Sequence, residues 1–348
     1  MKILVSEYVS GGGWPDEQLP SSLWAEGKAM LQAVVTDFAR LPQVQVACTW
    51  NERFGHAPNF EEADVQVLSV RSPAEEERVS AEWSGSATPD AAALIIAPEF
   101  DGILESRCER FRSAGVRLLN ADAMALRMAG DKWKTFLTCQ AHGIPTILTL
   151  PANGDTEPDA FPVVVKLRDG AGSLMMELLN SRQEWQQFCG RADLNRFLVQ
   201  PYIAGRSCSV IAIVASGEIR HLFPTGEQRF SSEDRFSYQG GMIPARDVPI
   251  EAIRELVDQA IAAFPGLHGW IGFDLLLPHY DPGNPLLLEV NPRLTTSYVG
   301  YRKLCRQMLA KWLVDPSDSE TPEFSGSVIF QADGQFRIGH HTNSELSQ

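Results

Sequence analysis

Two carboxylates and an amide stand out within residues 269–297, GWIGFDLLLPHYDPGNPLLLEVNPRLTTS. The segment reads as two apolar strands, 271–277 and 285–291, joined by a turn-rich link at 279–284. Asp274 interrupts the first strand, and Glu289 and Asn291 interrupt the second. Strand alternation puts Glu289 and Asn291 on one face. A turn centred near Asp281–Pro282 sets Asp274 opposite Glu289 and Gly272 opposite Asn291, with open space expected beside the amide. Like charges opposed at ~5 Å, in an effective dielectric of ~20, repel by roughly 3 kcal/mol. A divalent cation between the oxygens reverses that sign, and Mg²⁺ favours such hard ligands with substrate phosphates completing its shell. A hairpin with one solvated face accounts equally for an isolated D…E-x-N pattern, so the rest of the chain decides.

A second cluster is FPVVVKLRDGAGS, residues 161–173, where Lys166 ends an apolar strand just before a small, flexible glycine loop. A loop backbone that approaches closely and a lysine point charge suit phosphates. The GxxxxGK[ST] pattern is absent, and a surface lysine at a strand end is an equal reading of Lys166 alone. The Gly11-Gly12-Gly13 run after the first strand reads either as an anion-binding nest or as a flexible loop. None of the seven histidines stands at metal spacing from a Cys, Asp or Glu.

These residues need a scaffold, and the chain supplies three stretches of different pattern. Strand 2–6, helix 22–40, strands 44–49 and 65–70, the continuous apolar strand 92–97, helix 102–114 and strand 116–119 describe an open α/β sheet over 1–121. Its helix 22–40 carries the stripe Leu23, Ala29, Met30, Ala33, Val34 and Phe38, and 75–82 reads as an acidic segment. Ligands of such sheets bind beyond the strand carboxyl ends, where the polar loops 7–13 and 98–102 lie, the latter holding Glu99 and Asp101. The second unit, 122–195, has one helix running through 124–142, a short strand 145–150, strand 161–168 and helix 181–189. The third, 196–336, has strand 196–203, hairpin 208–223, helix 251–264, the opening hairpin, a helix 298–313 with a solvated basic face, and a last hairpin 327–336. Residues 226–246 lack periodicity and read as a long polar loop, a feature that is usually functional or disordered. Residues 337–348 read as a tail. The fold class is therefore α/β, turning α+β in the C-terminal half.

Composition narrows the function classes. A net charge of −14 with a pI near 5.0 argues against sequence-independent nucleic-acid binding, which needs a basic face. No apolar run reaches the ~18 residues of a membrane span, and the N-terminus lacks a signal peptide's pattern. Six scattered cysteines without a CxxC read as free thiols in a reducing cytoplasm. A homodimer is the base-rate expectation for assembly.

In chain order the motifs are Asp131-Lys132, VVVK-LRDGAG, VQPYI-x-G, GFD and LLLEVNPR. That succession resembles the ATP-grasp superfamily of carboxylate–amine ligases. The resemblance implies an N-terminal α/β domain and two α+β subdomains that sandwich ATP, with one or two Mg²⁺ ions and Mn²⁺ able to substitute. It implies that Lys132 and Lys166 contact phosphates and that Gly170, Ala171 and Gly172 close over them. Gln200, Pro201, Tyr202 and Ile203 match the adenine-contacting hinge, although the family usually has Glu at the first position. Asp274, Glu289 and Asn291 match the metal ligands, and Arg293 the arginine that steadies an acyl phosphate. Ser207 stands where the family often has a ribose-binding Glu.

Outside that shared core, ILVSEYVSGGG, LWAEGKAML, IIAPEFDGIL and FSYQGGMIPA look like the branch containing tyramine–L-glutamate ligase of methanofuran-type cofactor synthesis. These stretches place substrate contacts at Glu7, Gly12, Gly13, Glu99, Gly240 and Gly241, with Glu7 and Glu99 candidates to take a proton from the amine. Other carboxylate–amine ligases, acting on peptides or D-amino acids, and a non-catalytic nucleotide-binding scaffold are the alternatives.

Overall fold

The computed structural model describes residues 1–15, 19, 21–60, 64–152, 157–170, 175–230 and 238–339. Ala171 and Gly172 of the glycine loop, and 340–348 of the expected tail, lie outside them. No helix among the described residues is long and apolar enough to cross a membrane.

The N-terminal layer runs β1 (Lys2–Glu7), α1 (Ser21–Ala39), β2 (Gln45–Asn51), β3 (Val65–Val70), α2 (Pro73–Gly85), β4 (Ala92–Ile96), α3 (Ile103–Ser113) and β5 (Arg117–Leu118). Its strands pair in parallel in the order β3-β2-β1-β4-β5, as alternating strands and helices require. The acidic segment is helical. Ser72 caps α2 by accepting from the Glu75 amide and Pro73 sits in its first turn, so local start signals outweigh a sparse apolar stripe.

The expected single helix through 124–142 is two, α4 (Ala123–Ala129) and α5 (Lys132–His142). Asp131 breaks it, because its carboxylate caps α5 by accepting from the Trp133 and Lys134 amides. A small four-stranded sheet follows, in the order β6-β9-β7-β8, made of β6 (Leu150–Pro151), β7 (Val163–Leu167), β8 (Glu177–Leu179) and β9 (Phe197–Pro201), with α6 (Arg182–Arg191) upon it. Strand β9 thus belongs to the central unit rather than opening the third, so the expected division after 195 falls one strand early.

The C-terminal layer contains β10 (Gly205–Ala215), β11 (Glu218–Leu222), β12 (Gly226–Phe230), β13 (Tyr238–Ile243), α7 (Ile250–Ala263), β14 (Gly269–Pro278), β15 (Leu286–Asn291), α8 (Tyr298–Leu304), α9 (Ala310–Val314), β16 (Ser327–Gln331) and β17 (Phe336–Gly339). Its sheet runs β15-β14-β10-β12-β13-β16-β17, with β11 on β10. Within the long loop expected at 226–246, residues 226–230 and 238–243 are the β12–β13 pair and 231–237 lie outside the described residues; β12 is polar through Glu227, Gln228 and Arg229, and β13 is interrupted by two glycines. A Cβ on Gly240 would lie 2.1 Å from the Phe330 carbonyl oxygen, and one on Gly241 2.6 Å from that of Glu227. Both glycines therefore let neighbouring strands approach. Residues 337–339 of the expected tail pair with β16.

The helix expected at 298–313 is also two, and its basic face is solvated only in part: Arg306 is exposed, but Arg302 and Lys311 are largely covered. Arg302 donates to Asp37 of α1 at 2.8 and 3.2 Å, and Tyr298 donates to the same carboxylate at 2.8 Å. Lys311 pairs with Asp318 and Glu320. Two apolar cores run through both the N- and C-terminal layers, whereas the central sheet has a separate core of Val163, Val165, Trp185, Phe188, Phe197 and their neighbours.

Candidate active site

The β14–β15 hairpin pairs in the register drawn from its turn, with Asp274 opposite Glu289 and Gly272 opposite Asn291. A bulge follows immediately, so Leu275 faces Leu287. The space beside the Asn291 amide is not open, because a Cβ on Gly272 would meet the Thr295 methyl at 3.0 Å. A side chain at 272 would require the Thr295 methyl to give way.

Asp274 accepts from Asn291 Nδ2 at 3.0 Å and from Gln228 Nε2 at 2.8 Å. Burial, and then the Glu289 charge, push its carboxyl up to about 7. Glu289 faces Lys132 and Lys166, each ammonium 3.6 Å from one of its oxygens. Lys166 projects from β7 into this contact and is buried, which lowers its pKa, an effect opposed by Glu289. Lys132 opens α5 and donates to the Gly170 carbonyl. Its helix is fixed by Asp131, which holds Arg168 through two bonds of 2.8 and 2.9 Å.

Lys132, Lys166, Gln228, Asp274, Glu289 and Asn291 line one cleft of about 520 Å³ between the central and C-terminal sheets, with Asp131 and Arg168 behind its lining. Gln200, Pro201, Tyr202, Ile203 and Ser207 form its hinge side, where Gln200 donates to Thr149 at 2.7 Å. Arg293 enters beyond β15 and is gripped by Glu99, Nε to Oε1 at 2.7 Å and Nη2 to Oε2 at 3.1 Å. The structure thus gathers Lys132, Lys166, Gly170, the hinge residues, Ser207, Asp274, Glu289, Asn291 and Arg293 in one place.

The substrate candidates of the N-terminal layer fare differently. Glu7 is buried and accepts from the Ser10 amide and hydroxyl, both at 2.6 Å, and from the Val9 amide at 3.1 Å. Burial nonetheless raises its pKa. The Gly11–Gly13 turn closes on itself, since Cβ atoms would meet the Glu7 carbonyl oxygen, Val70 and the Tyr8 ring at 2.2–2.5 Å. Glu7, Gly12, Gly13, Gly240 and Gly241 lie outside the cleft lining, and Glu99 reaches it only through Arg293.

Sequence reasoning missed Glu26, Glu227, Gln228 and Thr296, which all line the cleft. Gln228 and Glu227 fall on the strand read as loop. Glu26 had a visible signal, being a carboxylate placed four and seven residues before Met30 and Ala33 of the apolar stripe.

Two carboxylates and an amide on one hairpin, with no third acidic residue, His or Cys completing a metal cluster among the described residues, leave room for phosphate ligands. The donor set fits Mg²⁺, because a cation there relieves the burial and mutual repulsion that now favour protonated Asp274.

Comparisons with known proteins agree with this geometry. Residues 129–297 match the ATP-grasp domain model, and 44–126 match the pre-ATP-grasp 3 domain model. Tyramine–L-glutamate ligase of Methanocaldococcus jannaschii is 24% identical over 324 residues, 92% of this chain and 91% of that protein. D-Alanine–D-alanine ligase of Aromatoleum aromaticum is 28% identical over 209 residues, 55% of this chain and 64% of that one. Among solved structures, an ATP-grasp superfamily protein from Archaeoglobus fulgidus superimposes with a TM-score of 0.70 at 19% identity, covering 95% of this chain and 92% of that one. The hairpin, the paired lysines and the two matching domain models together make the chain a member of the ATP-grasp superfamily, an ATP-dependent carboxylate–amine ligase.

Proposed function

We propose that the carboxylate is the γ-carboxylate of L-glutamate and the amine an aromatic one, tyramine or tyrosine, in methanofuran-type C1-carrier synthesis in the cytoplasm. The observation that carries this reading is the extent of the likeness to tyramine–L-glutamate ligase, which spans the N-terminal layer as well as the nucleotide cleft. A ring-lined wall agrees with it: Phe230 and Tyr238 meet edge-to-face at 5.9 Å on adjacent strands, and both line the cleft.

A glutamate carboxylate oxygen attacks the γ-phosphorus of ATP, the bond to the ADP oxygen breaks, and an acyl phosphate results. Asp274, Glu289 and Asn291 would hold Mg²⁺, whose charge neutralises phosphate oxygens when bound. Lys132 and Lys166 supply two ammonium donors at the same place, and Lys166 is already desolvated, which strengthens its pull on an anion. Arg293, aimed by Glu99, serves the acyl phosphate. No protein nucleophile is required, so positioning and electrostatics carry the rate.

A coupled assay of ADP release, with glutamate and a panel of tyramine, tyrosine, D-alanine and small amino acids, tests the reading. Turnover is expected with glutamate plus an aromatic amine. Failure of every aromatic amine sinks the substrate assignment. Turnover with D-alanine alone favours a peptide-ligase reading, which the D-alanine–D-alanine ligase likeness over 209 residues supports.

A further inference from the structure

The aminolysis half of this reaction needs something the sequence motifs do not supply. An amine arrives as an ammonium and cannot attack until it has lost a proton. The two carboxylates expected to take that proton are occupied. Both oxygens of Glu99 are held by Arg293, and Glu7 lies outside the cleft lining beneath three donors.

Glu26 is placed differently. It stands on α1, on the face turned to the C-terminal layer, and is only 9% exposed, yet it lines the cleft. Its Oε2 accepts from the Thr296 hydroxyl at 3.0 Å, while among the described residues Oε1 accepts no hydrogen bond. Tyr238 and Arg293 are the titratable groups that face it electrostatically, from β13 and from the segment after β15. The carboxylate therefore has one open oxygen, in the cleft that the Phe230–Tyr238 ring pair and the arginine assigned to the acyl phosphate also line.

We infer that Glu26 is the catalytic residue that receives the incoming amine, pairing with its ammonium and taking the first proton from it. This deepens the ligase reading above and rests on it. Atoms balance as follows. R–NH₃⁺ gives one proton to Glu26 and becomes a neutral amine. Its lone pair forms the C–N bond at the acyl carbon, and the C–O bond to phosphate breaks with its electron pair. The second N–H proton leaves on the departing phosphate as hydrogen phosphate, and Glu26 returns its proton to water after the amide departs. Burial raises the Glu26 carboxyl to about 7, with Thr296 and Arg293 holding it from going higher, so it can carry the proton near neutral pH.

Hydroxylamine separates this role from the rest of the reaction, because it is largely neutral at pH 7 and needs no proton acceptor before it attacks. With glutamate, ATP and Mg²⁺, Glu26→Gln should lose tyramine amide formation by about 10²–10⁴-fold while hydroxamate formation stays close to wild type. Glu26→Asp should restore part of the amide rate. Unchanged amide formation in Glu26→Gln, or an equal fall of both products in a folded variant, overturns the assignment. Should Glu26→Gln not fold, Thr296→Val removes only the donor to the carboxylate; its amide rate must fall selectively, and unchanged rates overturn the assignment. Wild-type protein that makes no hydroxamate from glutamate fails at the earlier step, so it refutes the proposed acid substrate and the role of Glu26 with it. Hydroxamate without any tyramine amide in wild type refutes the amine assignment instead.

Discussion

The two walls of the cleft are built in unlike ways. The wall that carries Asp274, Glu289 and Asn291 belongs to a sheet whose apolar cores continue into the N-terminal layer. Buried polar contacts tie the same two layers together: Asp37 with Arg302 and Tyr298, Glu26 with Thr296, and Glu99 with Arg293. The opposite wall, with Lys166 and Gln200, is a small sheet with a core of its own. What joins it to the rest near the site is polar, chiefly the approach of Lys166 to Glu289 and of Asp169 to the Asp101 amide at 3.1 Å. The acidic pair is thus mounted on the fixed body, as is α5, which begins at Lys132 and puts Cys139 into the shared core, while Lys166 stands on a satellite. A triphosphate with its metal between them supplies attraction to both sides, so nucleotide should couple the satellite to the body.

The largest expected break falls at the meeting point. Glu289→Gln removes a proposed metal ligand and the counter-charge of two lysines, and should cut ADP release by about 10³-fold or more with the fold intact. Normal turnover in that variant would show that the metal assignment is wrong.

A pair of variants tests whether the walls are separately stabilised. Arg302→Met strands the buried Asp37 carboxylate between α1 and α8, and should cost about 3–5 kcal/mol in the main unfolding transition. Trp185→Ala empties part of the central core at a comparable cost of about 3–5 kcal/mol. Its effect should be local: faster amide exchange in β7 and β9, weaker nucleotide binding, and an unmoved main transition. If both variants shift one shared transition equally, the two walls form a single cooperative unit and the comparison fails.

The legibility of this chain in its sequence follows the same division. The hairpin register was readable because a symmetric turn fixes which residues face each other, and the polar residues in apolar strands were conspicuous. Lys132, Lys166 and Arg293 were readable from ordered short motifs. The β12–β13 pair was not, because β12 places Glu227, Gln228 and Arg229 in succession, and in β13 Gly240 and Gly241, kept for close approach to Phe330 and Glu227, interrupt the alternation that marks a strand. Arg302 looked solvated because its partner, Asp37, is 265 positions away. Glu26 escaped for a related reason: its neighbour Thr296 comes from the opposite end of the chain, and only packing of α1 on the C-terminal layer shows that a carboxylate in an apolar stripe has a cleft to face.

That burial has a measurable stability signature, smaller than the effects above. In the unfolded chain the Glu26 carboxyl titrates at its ordinary value of 4.5, and in the fold at about 7. The folded state therefore binds the proton more tightly. Its contribution is fully present below the unfolded value and is lost as pH rises from 4.5 to about 7, staying flat above. At 1.36 kcal/mol per unit, the loss is about 3 kcal/mol at most. Glu26→Gln removes this dependence, while the buried Glu7 and Asp274, also raised, remain in both proteins and cancel in the difference. Denaturant unfolding across that pH window should show the variant gaining on wild type as pH rises, by about 1–3 kcal/mol in all. Parallel stability curves would mean that the Glu26 carboxylate keeps its water in the fold and is too weak a base to hold the amine's proton near neutral pH.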